Sequence, residues 1–223
     1  MTVNLDHLVI GAQTLEQGVT YVQNALGVEI PKGGEHPLMG THNHLMQVGE
    51  GVFLEIIAIN PTASTPDRPR WYGLDDPFVR AQLARSPKLL TWVVNTSDIS
   101  DSINTTQAKT GVSFGEAVSL QRGNLNWQFG IPDDGRLLAG GLLPYLIEWQ
   151  TDHHPAADMP DLGCKFMELT LYHPYAAWLT NILEVLGARH LVTVEPIDAA
   201  KTPFFEAMFE TPKGVVSLLS SLE

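Results

Sequence analysis

Two ionisable residues stand in otherwise apolar strand sequences in the first quarter of the chain. His7 lies in the run Leu-Asp-His-Leu-Val-Ile at 5–10, and Glu55 lies in Val-Phe-Leu-Glu-Ile-Ile at 52–57. An ionisable side chain in a buried strand needs a partner, a metal ion or a shifted pKa. Because His nitrogen and carboxylate oxygen are both ligands of first-row divalent ions, a metal centre is the first hypothesis.

An internal repeat adds a third candidate. The strand Val-Phe-Leu-Glu-Ile at 52–56 aligns with Tyr-Leu-Ile-Glu-Trp at 145–149, which places Glu148 in register with Glu55. A His nitrogen with two carboxylates suits Zn, Mn, Fe, Co or Ni, and open coordination positions would let a substrate chelate the ion. We therefore predict His7, Glu55 and Glu148 as metal ligands, with Glu148 also moving a proton. The alternatives are a core histidine bonded to backbone and a buried Glu–Arg pair.

Further candidates lie on strands and in one connector. His42 and His44 are two residues apart, so on a strand both point to one face, where we predict His42 as catalytic and His44 as substrate-binding. Trp127 is predicted to form an apolar wall for the substrate, and His154 is predicted to close over the pocket. Core packing for Trp127, and a solvent-facing or linker position for the histidines, remain the alternatives.

The elements that position these residues repeat along the chain as βαβββ units. In the first two units a strand leads through a polar turn to a helix, with N-caps at Thr14 and Asp98 and a terminating glycine at Gly27 and Gly111. We predict an α+β fold of tandem βαβββ modules with mixed curved sheets. The expected boundaries are a first module at 1–60, a linker with a short helix at 61–87, a second module at 88–150, a linker at 151–163 and a third βαβββ-like unit at 164–223.

The third unit carries a weaker form of the same pattern. Its helix is expected to stop at Gly187, with Glu168 close to the His7 position and Leu218 at the Glu55 position. Glu168 is therefore an alternative source of a ligand. An odd module leaves strand edges to be covered, so a homodimer is a further expectation.

Several ordered motifs resemble those of the glyoxalase-like domain proteins of the vicinal oxygen chelate superfamily. They are Leu-Asp-His-Leu-Val-Ile at 5–10, Gly-Gly-Glu-His-Pro-Leu-Met-Gly-Thr-His-Asn-His at 33–44, Phe-Leu-Glu-Ile-Ile-Ala at 53–58 and Leu-Leu-Pro-Tyr-Leu-Ile-Glu-Trp at 142–149. The resemblance implies that paired modules form a cup holding a divalent metal ion. It also implies that His7, Glu55 and Glu148 match ligand positions, and that Thr91, a poor ligand, occupies the remaining one.

Composition narrows the classes of partner. The chain has 223 residues and a net charge of −12, without a cluster of Lys and Arg that would suit a nucleic-acid backbone or an anionic membrane surface. One cysteine and an N-terminus that enters a strand at once favour a cytoplasmic protein. We expect a metal-dependent lyase, isomerase or dioxygenase-type enzyme acting on a small oxygen-rich molecule. A metal-free protein that binds or sequesters a small molecule is the alternative.

Overall fold

Two consecutive βαβββ modules build one large sheet. The computed structural model describes residues 3–151 and 153–221. The first module contains β1 (Asn4–Gly11), α1 (Leu15–Leu26), β2 (Lys32–His36), β3 (Thr41–Gly49) and β4 (Val52–Ile59). After α2 (Pro77–Leu83), the second module contains β5 (Lys88–Asn95), α3 (Ile99–Thr110), β6 (Glu116–Arg122), β7 (Leu125–Ile131) and β8 (Tyr145–Trp149).

The helix boundaries follow from local capping chemistry. The Thr14 side chain accepts a hydrogen bond from Gln17 N, and the Asp98 side chain accepts one from Asp101 N. Gly27 and Gly111 end the two helices at φ 80° and 74°, a left-handed conformation that disfavours residues with a Cβ. These contacts confirm the caps predicted from the sequence.

The eight strands run in the order β2-β3-β4-β1-β5-β8-β7-β6. The two modules meet at the centre, where β1 pairs antiparallel with β5, while β1 and β5 pair in parallel with β4 and β8 of their own modules. Helices α1 and α3 pack on the outer face of the sheet. The opposite face of the sheet is concave and forms a cup. The shared sheet of the two modules confirms the predicted α+β fold of paired modules.

The connector between the two modules, residues 60–87, fills part of the cup. Trp71 and Tyr72 are both buried and pack with Phe129 and Tyr145 of the second module. Tyr72 has a φ of 60°, and its backbone N–H donates to the Tyr145 hydroxyl at 3.1 Å. Because a non-glycine residue at positive φ is strained, this contact helps to hold the connector inside the cup.

The C-terminal unit forms its own sheet. It contains β9 (Lys165–His173), α4 (Ala176–Leu186), β10 (Thr193–Pro196), β11 (Phe204–Thr211) and β12 (Gly214–Leu219). The element order is the expected βαβββ, but the strands run in the order β10-β9-β11-β12. The first strand therefore pairs in parallel with the second strand of its unit, whereas in the other modules it pairs with the fourth.

This different pairing removes the third unit from the cup. Glu168 is exposed and accepts hydrogen bonds from Thr193 and Thr170 of its own sheet. Leu218 is buried in a core shared with the helices on the outer side of the large sheet. Glu168 therefore does not supply the additional ligand considered from the sequence. None of the helices in the described part of the chain has the length and apolar character needed to cross a membrane.

Candidate active site

One narrow cavity opens into the cup between the two modules. It encloses about 40 Å³, room for a few water molecules. Its walls come from strands of both modules, from the connector at Trp71 and from the segment after β8. The lining residues are His7, His36, Asn43, Leu45, Phe53, Glu55, Trp71, Tyr72, Arg122, Trp127, Phe129, Ile147, Trp149, Pro155 and Met159.

His7 is oriented by the residue that precedes it. Its Nδ1 lies 2.6 Å from Asp6 Oδ1, and its ring stacks on Phe53 with centroids 4.3 Å apart. A hydrogen bond from Nδ1–H to the carboxylate leaves the Nε2 lone pair free. Nε2 lies 3.7 Å from Glu55 Oε2, which is too long for a hydrogen bond, so both atoms remain available to a ligand.

Asp6 is the centre of a buried network that sequence reasoning missed. It is fully buried, and its Oδ2 accepts from Trp149 Nε1 at 2.7 Å, from His154 Nε2 at 2.9 Å and from Asn95 Nδ2 at 3.3 Å. Burial alone raises the pKa of Asp6, but the hydrogen bonds and charges of His154 and His7 outweigh it and bring the pKa to about 2. Asp6 is therefore a carboxylate at neutral pH.

Glu55 is held by an amide on the neighbouring strand. Asn43 Nδ2 donates to Glu55 Oε1 at 2.6 Å, while Asn43 Oδ1 accepts from the backbone N–H of Gly34 at 2.8 Å. Both Asn43 and Glu55 are buried. Because the amide is anchored at both ends, it fixes one carboxylate oxygen and leaves the other directed towards His7.

His36 is a second imidazole in the cavity wall. Desolvation, followed by the charge of Arg122, lowers its pKa from 6.5 to about 3, so the ring is neutral. Its Nδ1 lies 3.0 Å from Thr41 Oγ1, and its Nε2 lies 3.4 Å from Asn43 Nδ2. A neutral ring that accepts from the amide and donates to Thr41 supports Asn43 in its contact with Glu55.

Glu148 does not join His7 and Glu55, which corrects its predicted register. The repeat places Val93 in the position of Val9, because the strands, helix caps and terminal glycines of the two modules are equally spaced. Val9 pairs with Glu55 and Val93 pairs with Tyr145, so Tyr145 is the counterpart of Glu55. Glu148 is an odd number of residues further along, and its side chain consequently points to the other face.

On the outer face of the sheet Glu148 contacts the N-terminus of α3. Its Oε2 accepts from the backbone N–H of Ile99 at 2.8 Å, at the first residue of α3. A carboxylate there satisfies a free amide and interacts favourably with the helix dipole. Glu148 thus stabilises the outer face of the second module, while Ile147 and Trp149 on either side line the cavity.

The residues present do not fit the expected metal centre. His7 and Glu55 supply two donors, but Thr91 is buried with its hydroxyl within 3.5 Å of the carbonyls of Trp92 and Gly141. Tyr145, the counterpart of Glu55, donates its hydroxyl to the Arg136 carbonyl at 2.6 Å. Within residues 3–151 and 153–221, no group of three His, Cys, Asp or Glu side chains is placed to hold an ion.

His42 and His44 also lie outside the cavity, against the prediction that they face into the cup. Along β3, Asn43 and Leu45 line the cavity, so the alternate residues point to the outer face. His44 Nδ1 lies 2.7 Å from the Ile30 carbonyl on that side. The two histidines do share a face, as predicted, but the residue between them is the one that reaches the site.

Trp127 and His154 have different placements. Trp127 lines the cavity opposite His36, with ring centroids 6.5 Å apart. His154 does not line the cavity; its Nε2 is hydrogen-bonded to Asp6, and the next residue, Pro155, is part of the cavity wall. The sequence held only positional signals for the roles of Asp6 and Asn43. Asp6 is next to the candidate ligand His7, and Asn43 lies between two histidines on a strand.

The comparisons with known proteins agree with this architecture. Residues 5–187 match the Glyoxalase-like domain family. No curated protein matches the chain in sequence. A crystal structure of a hypothetical protein from Staphylococcus aureus superposes with a TM-score of 0.62 and 13% identity, over 98% of this chain and 85% of that chain.

Two methylmalonyl-CoA epimerases are also similar. The enzyme from Streptomyces coelicolor has a TM-score of 0.43 and 17% identity, over 68% of this chain and 100% of its own. The enzyme from Mycobacterium tuberculosis has a TM-score of 0.42 and 19% identity, over 69% of this chain and 91% of its own. At these TM-scores and identities neither similarity assigns an activity to this chain. The family match covers most of the chain and includes the strands that carry His7 and Glu55, so this protein belongs to the glyoxalase-like domain family.

Proposed function

We propose that this protein is a small-molecule enzyme of the lyase or isomerase type that moves a proton at a carbon atom beside a carbonyl group. The observation that carries the proposal is the Asp6–His7 pair with Glu55 beside it in the cavity wall, where His7 Nε2 lies 3.7 Å from Glu55 Oε2. A carboxylate that orients an imidazole, next to a second carboxylate, is an arrangement suited to general acid–base catalysis.

His7 is the base in this proposal. Asp6 holds the Nδ1 proton, so Nε2 accepts the proton from the substrate carbon, and the C–H electron pair forms the enolate. The imidazolium is then stabilised by the ionised Asp6, whose other oxygen retains its bonds to Trp149 and His154. Return of a proton to the same carbon completes an exchange, and its delivery to the neighbouring carbon completes an isomerisation.

Glu55 is the second acid–base group. The amide of Asn43 binds one of its oxygens, and the other lies on the cavity side near His7 Nε2. Two groups beside one substrate let one remove a proton and the other deliver a proton to a neighbouring atom. The aromatic walls around them lower the local polarity, which strengthens each electrostatic contact.

The metal-dependent form of this activity, predicted from the family resemblance, would need ligands beyond His7 and Glu55. A divalent ion would supply Lewis-acid activation of a carbonyl. Because the described residues provide two protein donors, we assign proton transfer to Asp6, His7 and Glu55 themselves. Chelator-treated protein and protein supplied with Zn, Mn, Ni or Co are therefore separate arms of the test.

Proton exchange in D₂O tests this function without a known physiological substrate. Methylglyoxal and pyruvate serve as probes, and NMR follows the loss of their carbon-bound protons. Wild-type protein should accelerate exchange, with losses of at least tenfold in His7→Ala and Glu55→Gln and no loss in His42→Ala, whose side chain faces outward. Equal exchange with wild type and His7→Ala would count against the base assigned here.

A metal-free binding protein is the second candidate. Thr91 and Tyr145 favour this candidate, because they stand in the second module at the positions that His7 and Glu55 have in the first. Both hydroxyls donate to backbone carbonyls, of Gly141 and Arg136 respectively. Such a protein would bind a small molecule in the cavity and leave it chemically unchanged. Binding without proton exchange for every probe would favour this candidate.

A further inference from the structure

Arg122 places a cation at the wall of the cavity. It is the last residue of β6, one edge of the eight-stranded sheet, and it extends over β2 at the opposite edge. A Cβ built on Gly34 of β2 would lie 2.9 Å from Arg122 Cδ and 3.1 Å from Nη1. The side chain reaches the cavity because residue 34 is a glycine.

This guanidinium lacks an acidic partner in the described part of the chain. No carboxylate of residues 3–151 or 153–221 lies within 4.0 Å of its nitrogens. Among the described residues its one side-chain hydrogen bond is the weak one from Nη1 to Asn43 Oδ1 at 3.5 Å. The same amide donates to Glu55 from its other end, so Asn43 separates Arg122 from the nearest cavity carboxylate.

A second residue of the cavity wall carries a buried donor without a hydrogen-bond partner in the part of the chain that the structure describes. Trp71 is 3% exposed and lines the cavity, and its Nε1–H has no hydrogen-bond partner. A buried donor without a partner costs about 1–3 kcal/mol, so its retention points to an acceptor that arrives with a ligand. By contrast the guanidinium of Arg70 is paired with the Asp75 carboxylate at 2.6 Å.

The charge and size of the cavity restrict the ligand. The chain as a whole carries a net charge of −12, so an anion needs a local cation to bind. Arginine binds carboxylates through two parallel hydrogen bonds. The enclosed volume of about 40 Å³ favours a molecule of few heavy atoms.

We propose that Arg122 and Trp71 form an anion-binding end of the cavity and that the substrate is a short 2-oxo carboxylate of about three or four carbons. The identity of the substrate rests on the proposed function, because His7 must meet the carbon beside the carbonyl. In this arrangement Arg122 binds the substrate carboxylate and Trp71 donates a hydrogen bond to a substrate oxygen. The catalytic groups His7 and Glu55 lie on the other side of Asn43.

Equilibrium binding of pyruvate and of its neutral amide, pyruvamide, tests the anion site without any turnover. NMR titration of the indole N–H signals, with Trp71 assigned from Trp71→Phe, reports occupancy of the cavity. Wild type should bind pyruvate at least tenfold more tightly than pyruvamide and shift the Trp71 signal. Arg122→Met should abolish this preference.

Two further variants keep the result interpretable. Gly34→Ala keeps the positive charge but displaces the guanidinium, so it should weaken pyruvate binding several-fold even if Arg122→Met is poorly folded. Arg136→Met is the matched control, because Arg136 is exposed and paired with Asp134; it should bind as wild type. Equal affinities for the two probes, a preference that survives Arg122→Met, or no pyruvate binding at millimolar concentration would each overturn the proposal.

Failure of the binding site and failure of the proposed chemistry are distinguishable. Arg122-dependent binding without proton exchange leaves the anion site standing and removes the enzymatic assignment. Exchange that requires His7 but occurs equally with a neutral probe and with Arg122→Met retains the chemistry and removes the 2-oxo carboxylate.

Discussion

Asp6 and His7 are adjacent on one strand, yet Asp6 Oδ1 and His7 Nδ1 lie 2.6 Å apart. Neighbouring side chains on a regular strand point to opposite faces. Here the pairing with β5 shifts between Leu5 and His7, so Asp6 occupies a β-bulge. A bulge re-aims a side chain, and in this strand it turns a carboxylate towards the imidazole that follows it.

Asp6→Asn should destabilise the protein by about 3 kcal/mol, because the donors around Asp6 lose a buried carboxylate. The effect should also depend on pH. The folded-state pKa of about 2 lies below the usual 3.8, so Asp6 stabilises the fold above that usual value, and the contribution disappears as the pH falls through about 2. This contribution is roughly 2 kcal/mol.

Urea unfolding of wild type and Asp6→Asn at several pH values measures both effects. The difference between the two proteins should shrink between about pH 4 and pH 2. A difference that does not change with pH would show that the carboxylate charge is not what the network stabilises.

His36→Gln should make the protein less sensitive to acid. The pKa of His36 falls from 6.5 in the unfolded chain to about 3 in the fold, so only the unfolded chain binds a proton between these values. The neutral ring therefore favours the fold fully above pH 6.5, and this advantage is lost progressively as the pH falls towards 3. At pH 4.5 the loss is roughly 2–3 kcal/mol.

Thermal or urea unfolding from pH 7 to pH 4.5 should accordingly give a shallower decline for His36→Gln than for wild type. His190→Gln is a suitable control, because His190 is exposed. If His190→Gln changed the slope as much as His36→Gln, the burial of His36 would not be the cause.

Asn43→Ala should weaken pyruvate binding and proton exchange by about tenfold, because it frees Glu55 and removes the amide between Glu55 and Arg122. His42→Ala and His44→Ala should change either activity by less than about twofold, since both side chains face the outer side of β3. The NMR titration measures pyruvate binding in all three variants, and the D₂O experiment measures their proton exchange. A larger loss in His42→Ala than in Asn43→Ala would reverse the assignment of faces.

Glu148→Ala should cost about 1 kcal/mol of stability through the lost contact with the N-terminus of α3, and leave pyruvate binding unchanged. Glu184→Ala, at an exposed position inside α4, is the matched substitution and should cost less. Chemical unfolding and ligand titration on the same samples give both values. Loss of binding in a folded Glu148→Ala protein would return Glu148 to the site.

The two βαβββ modules and two residues of the site could be predicted from the sequence, because they depend on local chemistry. Apolar strands followed by a cap residue and ended by a glycine specify the two modules, because strand alternation and helix capping depend on neighbouring residues. The same signals identified His7 and Glu55, two ionisable residues in apolar strands that the fold brings to one cavity.

Pairing between distant strands decided the rest. The sequence alignment of Glu148 with Glu55 was wrong by three residues. A shift by an odd number of residues moves a side chain to the other face of the strand. The pairing of Val93 with Tyr145 is therefore what excludes Glu148 from the cavity. The bulge at Asp6 and the reach of Arg122 over Gly34 likewise depend on which strands become neighbours. A single sequence specifies such register weakly, since it is set by long-range packing of the whole sheet.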